Sequence, residues 1–270
     1  MIYFDKENID KKLAKFNKDN VYIVADFDLT MTAVGSEDSW SIFGKSGVLG
    51  KKFFDEATSI AQHYYKFEID ETLEFDKKFA LMDEWWHKEF SLFVKYGLTE
   101  TMLDRVVDKV QVVFRAGVKE FLCLMHKNGV PVIIISGGIG DIIERVLKKN
   151  DCNFDNIHRL ANFIEFKNGV AVNTKGKMIH VLNKSEQALA PDVSKKLENR
   201  PNVLLFGDMV GDANMTSAHN ENVIRVGFLN QKEDENLQPF KKAFDIVCTN
   251  NTSFTDLFKK TGMKFCGDFL

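Results

Sequence analysis

Two aspartates and a threonine at alternate positions, Asp26-x-Asp28-x-Thr30, are the residues of this sequence whose types and spacing most clearly suit chemistry. They follow the uninterrupted apolar run Val21–Ala25, which is typical of a buried parallel strand. Alternate side chains of an extended chain share a face, so the three polar groups are expected to converge at the strand's carboxyl end. Two carboxylates held so close need a cation or a shared proton. The stretch therefore predicts a ligand or metal site there, although an Asp-rich turn would look similar.

Further polar residues follow other predicted strands. Ser136 ends an apolar strand and precedes glycines and a helix start, where backbone N–H groups suit a phosphate. Lys184 is predicted to open a helix, and Asp208 and Asp212 flank a glycine-rich turn. Each has an ordinary alternative: a common strand-to-helix turn, a surface lysine, a helix cap. The combination is more specific, because separate strand ends of one sheet would supply carboxylates and a hydroxyl together.

Composition and charge narrow the class of protein. The chain has 270 residues, enough for one large domain or two modest ones, and a net charge of −3. That charge argues against binding to nucleic acid or to an anionic membrane. The amino terminus is charged and no stretch approaches a membrane span, so a cytoplasmic protein is expected. The cysteines form no C-x-x-C pair and are interpreted as buried free thiols: Cys123, Cys152, Cys248 and Cys266.

The first half of the chain predicts one strand followed by helices. A short amphipathic helix is expected within residues 5–18, and the Gly- and Ser-rich segment 33–50 predicts a mobile connection. From about 51 to 114 the pattern is helical, with Gly97 just after one helix end. The last helix of this segment is expected to present one apolar face, formed by Met102, Val106, Val110 and Val113. Residues 34–113 are therefore predicted to form a helical cap domain over the carboxyl end of the first strand.

The second half alternates strands and helices. Strands are expected at 132–136, 203–206, 223–226 and 245–247, helices at 118–127, 141–149 and 185–197, and a hairpin turn at Asn168-Gly169. Repeated units of this kind predict an α/β fold with a doubly wound parallel sheet. Residues 1–33 and 114–270 would form this core domain.

The pattern of these candidate site residues resembles that of the haloacid dehalogenase (HAD) superfamily of phosphatases. Its members have a Rossmann-like core and a cap inserted after the first strand. The chain more closely resembles the cytosolic pyrimidine 5′-nucleotidases of type III. The stretches that carry this resemblance are Tyr64-Tyr-Lys-Phe-Glu-Ile-Asp70, Glu84-Trp85, Ser136-Gly-Gly-Ile-Gly-Asp141, Asn162-Phe163, Lys175-Gly176, Ile179-His-Val-Leu-Asn-Lys184 and Gly207-Asp-x-x-Gly-Asp212.

The resemblance implies a role for each residue of the catalytic centre. Asp26 would attack phosphorus and form an aspartyl-phosphate, and Asp28 would act as general acid and base. Mg²⁺ would be held by Asp26, the backbone carbonyl of Asp28, and Asp208, with Asp212 as a further or supporting ligand.

The resemblance also implies the groups that bind substrate. Ser136, the Gly137 amide and Lys184 would hold the phosphoryl oxygens. Glu68 matches a glutamate that contacts the nucleoside in that family. Glu89 stands where the family usually has serine in its substrate-contacting stretch, and segment 33–50 lacks the family's usual cysteine. Both departures leave the preferred nucleobase open.

The function expected is therefore a Mg²⁺-dependent 5′-nucleotidase for nucleoside 5′-monophosphates, with pyrimidines favoured. Two alternatives stay open at this point. One is a HAD phosphatase for another small phosphomonoester, such as a phospho-amino acid, sugar or cofactor phosphate. The other is a HAD-fold binding protein without turnover, which ranks last because Asp26, Asp28 and Lys184 are all present. The expected partner is a small phosphomonoester rather than a nucleic acid or membrane.

Overall fold

The computed structural model describes residues 1–70, 72–219 and 222–263. The strands in this part of the chain are β1 (Ile2–Phe4), β2 (Val21–Ala25), β3 (Val132–Ile139), β4 (Ile157–Lys167), β5 (Val170–Lys175), β6 (Asn202–Gly207), β7 (Val223–Phe228) and β8 (Ile246–Cys248). The α-helices are α1 (Lys6–Leu13), α2 (Ser41–Ser46), α3 (Gly50–Glu68), α4 (Phe75–Lys95), α5 (Glu100–Lys109), α6 (Val118–Lys127), α7 (Gly140–Lys149), α8 (Pro191–Leu197), α9 (Glu233–Ala243) and α10 (Phe254–Thr261). None of these helices is long and apolar enough to cross a bilayer.

The strands form one mixed sheet in the order β1-β8-β7-β6-β2-β3-β4-β5. The neighbours from β8 to β4 pair in parallel, whereas β1 and β5 pair antiparallel at the two edges. The predicted doubly wound α/β sheet is confirmed. The edge strand β1 was not predicted, so the strand before the helical segment is the second in the chain. β2 lies between β3 and β6, so the strands that follow it in sequence are added first on one side of it and then on the other. Such a switch in strand order places a ligand crevice at the carboxyl end of β2.

Alternate residues of β2 enter two hydrophobic clusters, one on each face of the sheet. Val21, Ile23 and Ala25 belong to the larger cluster, and Tyr22 and Val24 belong to the smaller one. All five are buried, which explains why no polar residue interrupts the run.

Residues 34–113, called the insertion below, contain α2 to α5 and none of the strands described above. The chain leaves the core and returns to it at adjacent points, because Thr32 and Phe114 form an antiparallel bridge and Ala33 donates to the Val113 carbonyl at 2.8 Å. Buried aromatic side chains of the insertion, such as Phe43 and Phe93, join the larger hydrophobic cluster. The insertion therefore packs directly on one face of the core.

Several local predictions are wrong. Segment 33–50 contains α2, before which the Asp38 carboxylate accepts hydrogen bonds from the backbone N–H groups of Trp40 and Ser41. The helix within 99–114 ends at Lys109, because Val110 is extended, and Val113 is 45% exposed rather than on a buried face.

The predicted helix over 185–197 is also wrong in its first half. A short 3₁₀ turn, Glu186–Ala188, is separated from α8 by extended residues up to Ala190. Pro191 disfavours a helical conformation at the residue before it and cannot donate a hydrogen bond. Lys184 consequently lies in a loop and opens no helix.

The cysteine prediction holds for two residues. Cys152 and Cys248 are buried free thiols, whereas Cys123 is exposed on the outer side of α6. Cys266 lies outside the described residues.

Candidate active site

A cavity of about 680 Å³ lies between the carboxyl ends of β2, β3 and β6 and the insertion. It brings together every predicted site residue except Asp212, which is buried behind it: Asp26, Asp28, Glu68, Glu89, Ser136, Gly137, Lys184 and Asp208. A larger open groove of about 1000 Å³ lies beside β1 and α9 and is lined by none of them. The chemistry-bearing residues therefore identify the smaller cavity as the candidate site.

Three carboxylates from separate segments meet at the base of this cavity. Asp26 follows β2, Asp208 follows β6, and Asp212 lies in the 3₁₀ turn after it. Each offers one oxygen, and these oxygens lie within 4.8 Å of one another. The side chain of Asp28 does not belong to this group, so the expected role of Asp28 as a ligand depends on its backbone carbonyl alone.

Lys184 is the cation that approaches this group. Its Nζ lies 2.7 Å from Oδ1 of Asp26 and 3.2 Å from Oδ1 of Asp212, and its side chain is only 10% exposed. Burial alone would lower the pKa of Lys184, but the carboxylates of Asp212 and Asp26 outweigh it and raise that pKa. Lys184 is therefore a charged site residue and not a surface lysine.

The three carboxylates retain excess negative charge beside this single ammonium group. Burial, together with the carboxylates of Asp26 and Asp212, raises the pKa of Asp208 well above its usual value. The Asp208 side chain receives one long hydrogen bond of 3.4 Å, from the hydroxyl of Thr30. A cluster of oxygen donors with unbalanced charge fits a hard divalent cation such as Mg²⁺.

Burial disfavours the charged form of Asp26, as it does that of Asp208. Burial raises the pKa of Asp26 to about 6, while Lys184 acts in the opposite direction. The direct contact with Lys184 therefore favours the ionised carboxylate, which is the form that can act as a nucleophile or ligand.

The Asp28 side chain is held by Ser39, a residue that the sequence did not single out. The Ser39 hydroxyl donates to Oδ2 of Asp28 at 2.8 Å, and the Ser39 backbone N–H donates to Oδ1 at 3.1 Å. Burial raises the pKa of Asp28 to about 7, and the carboxylates of Asp38 and Asp26 add to this effect. A carboxyl group with such a pKa can both donate and accept a proton near neutrality.

Ser39 lies only thirteen residues after Asp26, in a Ser- and Asp-rich stretch that gives no local sign of its role. Its hydroxyl also accepts a hydrogen bond from the Ile139 backbone at 3.2 Å, which links the insertion to the end of β3.

The end of β3 forms the third side of the site. The strand continues through Ile139, three residues beyond its predicted end at Ser136. Ser136 is 1% exposed, and its Oγ accepts a hydrogen bond from the Gly138 N–H at 3.0 Å. A Cβ at Gly138 would lie 1.9 Å from the Ser39 hydroxyl oxygen, so this position requires glycine.

The insertion supplies an aromatic wall that also contains Glu68 and Glu89. The aromatic residues that line the cavity are Trp40, Phe53, Phe54, Tyr65, Trp85, Trp86 and Phe93. Glu89 accepts a hydrogen bond of 3.2 Å from Nε1 of Trp85, and burial raises its pKa to about 7. Burial also raises the pKa of Glu68, against the effects of Lys78 and Lys184. Flat rings and acceptor groups of this kind suit a planar ligand that carries hydrogen-bond donors.

The comparison with family models identifies the family of the chain. The model of the pyrimidine 5′-nucleotidase (UMPH-1) family matches residues 27–259. The chain belongs to this family. As a member of the pyrimidine 5′-nucleotidase family it is a phosphoric monoester hydrolase that acts on nucleoside 5′-monophosphates, which confirms the class of enzyme expected from the sequence.

Similar proteins are named for 7-methylguanosine phosphate, whereas the family is named for pyrimidine nucleotides. A human protein named 7-methylguanosine phosphate-specific 5′-nucleotidase is 30% identical over 244 residues, covering 87% of this chain and 81% of its own. The corresponding protein of Mus musculus is 29% identical over 238 residues, covering 85% of this chain and 79% of its own.

Solved structures agree with this assignment. The crystal structure of cytosolic 5′-nucleotidase IIIB bound to cytidine superposes with a TM-score of 0.87 at 25% identity, covering 96% of this chain and 92% of that one. A phosphoserine phosphatase in apo form gives a TM-score of 0.56 at 15% identity, covering 89% and 98%, and so shares the fold.

Proposed function

We propose that this chain hydrolyses nucleoside 5′-monophosphates with Mg²⁺, using Asp26 as the nucleophile. The observation that carries the proposal is the contact of 2.7 Å between Lys184 and Asp26, inside a cluster of carboxylates that opens into the cavity. Asp26, Asp208 and Asp212, with the backbone carbonyl of Asp28, would hold the cation. Bound Mg²⁺ would offset the negative charge of the phosphoryl group.

The residues of the core then divide the reaction into two steps. Asp26 attacks phosphorus and forms an aspartyl-phosphate as the ester bond to the nucleoside breaks. Asp28, oriented by Ser39, protonates the leaving ester oxygen. In the second step, Asp28 takes a proton from the water that hydrolyses the aspartyl-phosphate, releasing inorganic phosphate.

Three groups would bind the phosphoryl oxygens: the hydroxyl of Ser136, the backbone N–H of Gly137 and the ammonium group of Lys184. Ser136 and Gly137 lie in the second half of β3, just past its pairing with the carboxyl end of β2, and Lys184 already contacts Asp26. Donors that surround the reacting phosphorus in a site shielded from water stabilise charge in the transition state.

We further propose that residues 34–113 form a cap domain over a core of residues 1–33 and 114–270. The bridge between Thr32 and Phe114 supports these boundaries, because the chain enters and leaves the insertion there. In this arrangement the insertion excludes water from the phosphoryl site and contacts the nucleoside.

The aromatic wall and the carboxylates of Glu68 and Glu89 support a nucleoside as the leaving group. Pyrimidine monophosphates are the first candidates, in line with the sequence expectation and with a structural neighbour bound to cytidine. 7-Methylguanosine 5′-monophosphate is the second, because its ring carries a positive charge that these two half-buried carboxylates would stabilise.

A panel of phosphomonoesters, assayed with Mg²⁺ and with EDTA, tests this proposal. We expect turnover of cytidine, uridine or 7-methylguanosine 5′-monophosphate that EDTA abolishes and added Mg²⁺ restores. Equal or faster turnover of phosphoserine or sugar phosphates would favour a general phosphatase. Binding of phosphate without turnover of any ester would favour a binding protein.

A further inference from the structure

Asn162, in β4, uses its whole amide group to join two separate segments of the core. Its Nδ2 donates to the carbonyl oxygens of Gly137 at 2.9 Å and Ile179 at 2.7 Å, and its Oδ1 accepts from the Ile179 N–H at 2.7 Å. Asn162 is 2% exposed and does not line the cavity. It therefore acts on anything in the cavity only through the segments that it holds.

The first of these segments carries Ser136. The Gly137–Gly138 peptide is planar, so a bond to its carbonyl also fixes the direction of its N–H group. That N–H belongs to Gly138 and donates to Oγ of Ser136 at 3.0 Å. Holding the Gly137 carbonyl thus sets the orientation of the Ser136 hydroxyl.

The second segment leads to Lys184. Between Ile179 and Lys184, the side chain of Asn183 accepts from the His180 N–H at 2.8 Å and donates to the Met178 carbonyl at 3.0 Å. These hydrogen bonds close a turn that joins Ile179 to Lys184, so a shift of Ile179 would also move this turn.

The Gly137 carbonyl has a second donor, which comes from the insertion. Nε1 of Trp86, in α4, lies 2.6 Å from the same oxygen. A carbonyl oxygen has two lone pairs, and here both are occupied, one by β4 and one by the insertion.

We propose that Asn162 is a positioning residue, which sets the separation between Ser136 and Lys184 and so shapes the site for the phosphoryl group. This inference rests on the proposed function, because it takes Ser136 and Lys184 to bind phosphoryl oxygens. A displacement of about 1 Å in such a site can reduce the rate about 100-fold.

Two substitutions at this position test the role. Asn162→Leu removes all three hydrogen bonds without adding charge, and Asn162→Asp keeps the shape but loses both donors. For both we expect kcat to fall about 10- to 100-fold with cytidine 5′-monophosphate and with p-nitrophenyl phosphate alike. The inhibition constant of inorganic phosphate should rise about tenfold or more. A loss confined to the Asp variant would show charge repulsion and overturn the proposal.

Asn156 provides the matched control. Its Nδ2 donates to the Val130 carbonyl at 2.7 Å, near the opposite end of β3, and it is half-buried. Asn156→Leu should lower the Tm without changing kcat or phosphate inhibition. Equal effects of the Asn156 and Asn162 variants, or unchanged phosphate inhibition in the latter, would reduce Asn162 to a structural role.

Trp86→Phe gives an independent measurement if the Asn162 variants do not fold. It removes the other donor to the Gly137 carbonyl, so kcat should fall with cytidine 5′-monophosphate and with p-nitrophenyl phosphate alike. A loss restricted to the nucleotide would contradict the proposal. Absence of nucleotide turnover in the wild type would instead refute the proposed function, while calorimetry with inorganic phosphate would still compare wild type with Asn162→Leu.

Discussion

The two halves of the cavity are built differently. On the core side, short hydrogen bonds fix the chemical groups: Lys184 contacts Asp26, and Ser136 is held through the Gly137–Gly138 peptide. On the insertion side, Glu68 and Glu89 lie among aromatic rings, and the one hydrogen bond described for Glu89 comes from Trp85. A substitution among the core groups would thus disturb the phosphoryl site, whereas a substitution in the insertion could change which nucleoside is bound. Substitutions on the core side should affect every substrate equally. Those on the insertion side should affect them selectively, unless the residue bonds directly to the core, as Ser39 and Trp86 do.

The largest effect is expected for Asp26→Asn. An amide cannot attack phosphorus and is a poorer ligand for Mg²⁺, so kcat should fall at least about a thousandfold for every phosphomonoester. Burial already disfavours the charge at this position, so the Tm should change little. Steady-state assays and a thermal melt measure both quantities. Retention of more than a trace of activity would rule out Asp26 as the nucleophile.

Glu68→Ala should distinguish the role of the insertion side of the cavity from that of the core side. A charged acceptor contributes about 1.5–3 kcal/mol to a hydrogen bond, so kcat/KM for the preferred nucleotide should fall about 10- to 100-fold. Activity with p-nitrophenyl phosphate should barely change, because that ester has no nucleoside. Glu74→Ala, at an exposed position of the insertion, is the control. An equal loss with both esters would place Glu68 in a structural role.

Ser39→Ala should show that one residue of the insertion behaves like the core. Without its hydroxyl, Asp28 loses an orienting hydrogen bond of 2.8 Å. Since Asp28 must activate water whichever alcohol has left, kcat should fall about tenfold for nucleotide and p-nitrophenyl phosphate alike. Ser91→Ala, on the exposed side of α4, is the comparison. A loss with the nucleotide alone would assign Ser39 to recognition.

The smallest effect concerns the pH dependence of stability. Burial raises the pKa of Glu89 from 4.5 to about 7, so the folded state keeps a proton that the unfolded state has lost between these values. The free energy of unfolding of the wild type, relative to Glu89→Gln, should therefore fall as the pH rises through this window, by about 2 kcal/mol after allowance for partial exposure. Denaturant titrations at pH 4.5, 6 and 8 would measure this. The exposed Glu165→Gln variant should show no such trend.

The core side of the cavity was predictable from the sequence because local pattern determines it. A five-residue apolar run followed directly by Asp26 predicts a buried strand, and glycines mark the turns near Ser136 and Asp208. The edge strand β1 was missed because three residues carry no periodicity, and it forms by pairing with β8 at the other end of the chain.

Long-range contacts explain the other omissions as well. Ser39 acquires its role only when the insertion folds back on Asp28, and Asn162 acquires its own from two segments that it joins. Lys184 was predicted as a site residue and lies at the cavity, but it was assigned to the wrong element, because Pro191 delays the helix. Residue type indicated which groups could act, whereas their partners depended on tertiary structure.

The bridge between Thr32 and Phe114 also has an evolutionary consequence. Because the chain departs and returns at paired residues, segment 34–113 can be lengthened, shortened or exchanged without shifting the register of the sheet. A replacement segment would need to keep an apolar seam against the core, where Phe43 and Phe93 now pack, and a hydroxyl near Asp28. It would also have to replace the Trp86 hydrogen bond to the Gly137 carbonyl and the backbone bridge between Thr99 and Val170. Substrate specificity can therefore change in evolution by replacement of the insertion, while the core residues of the phosphoryl site stay the same.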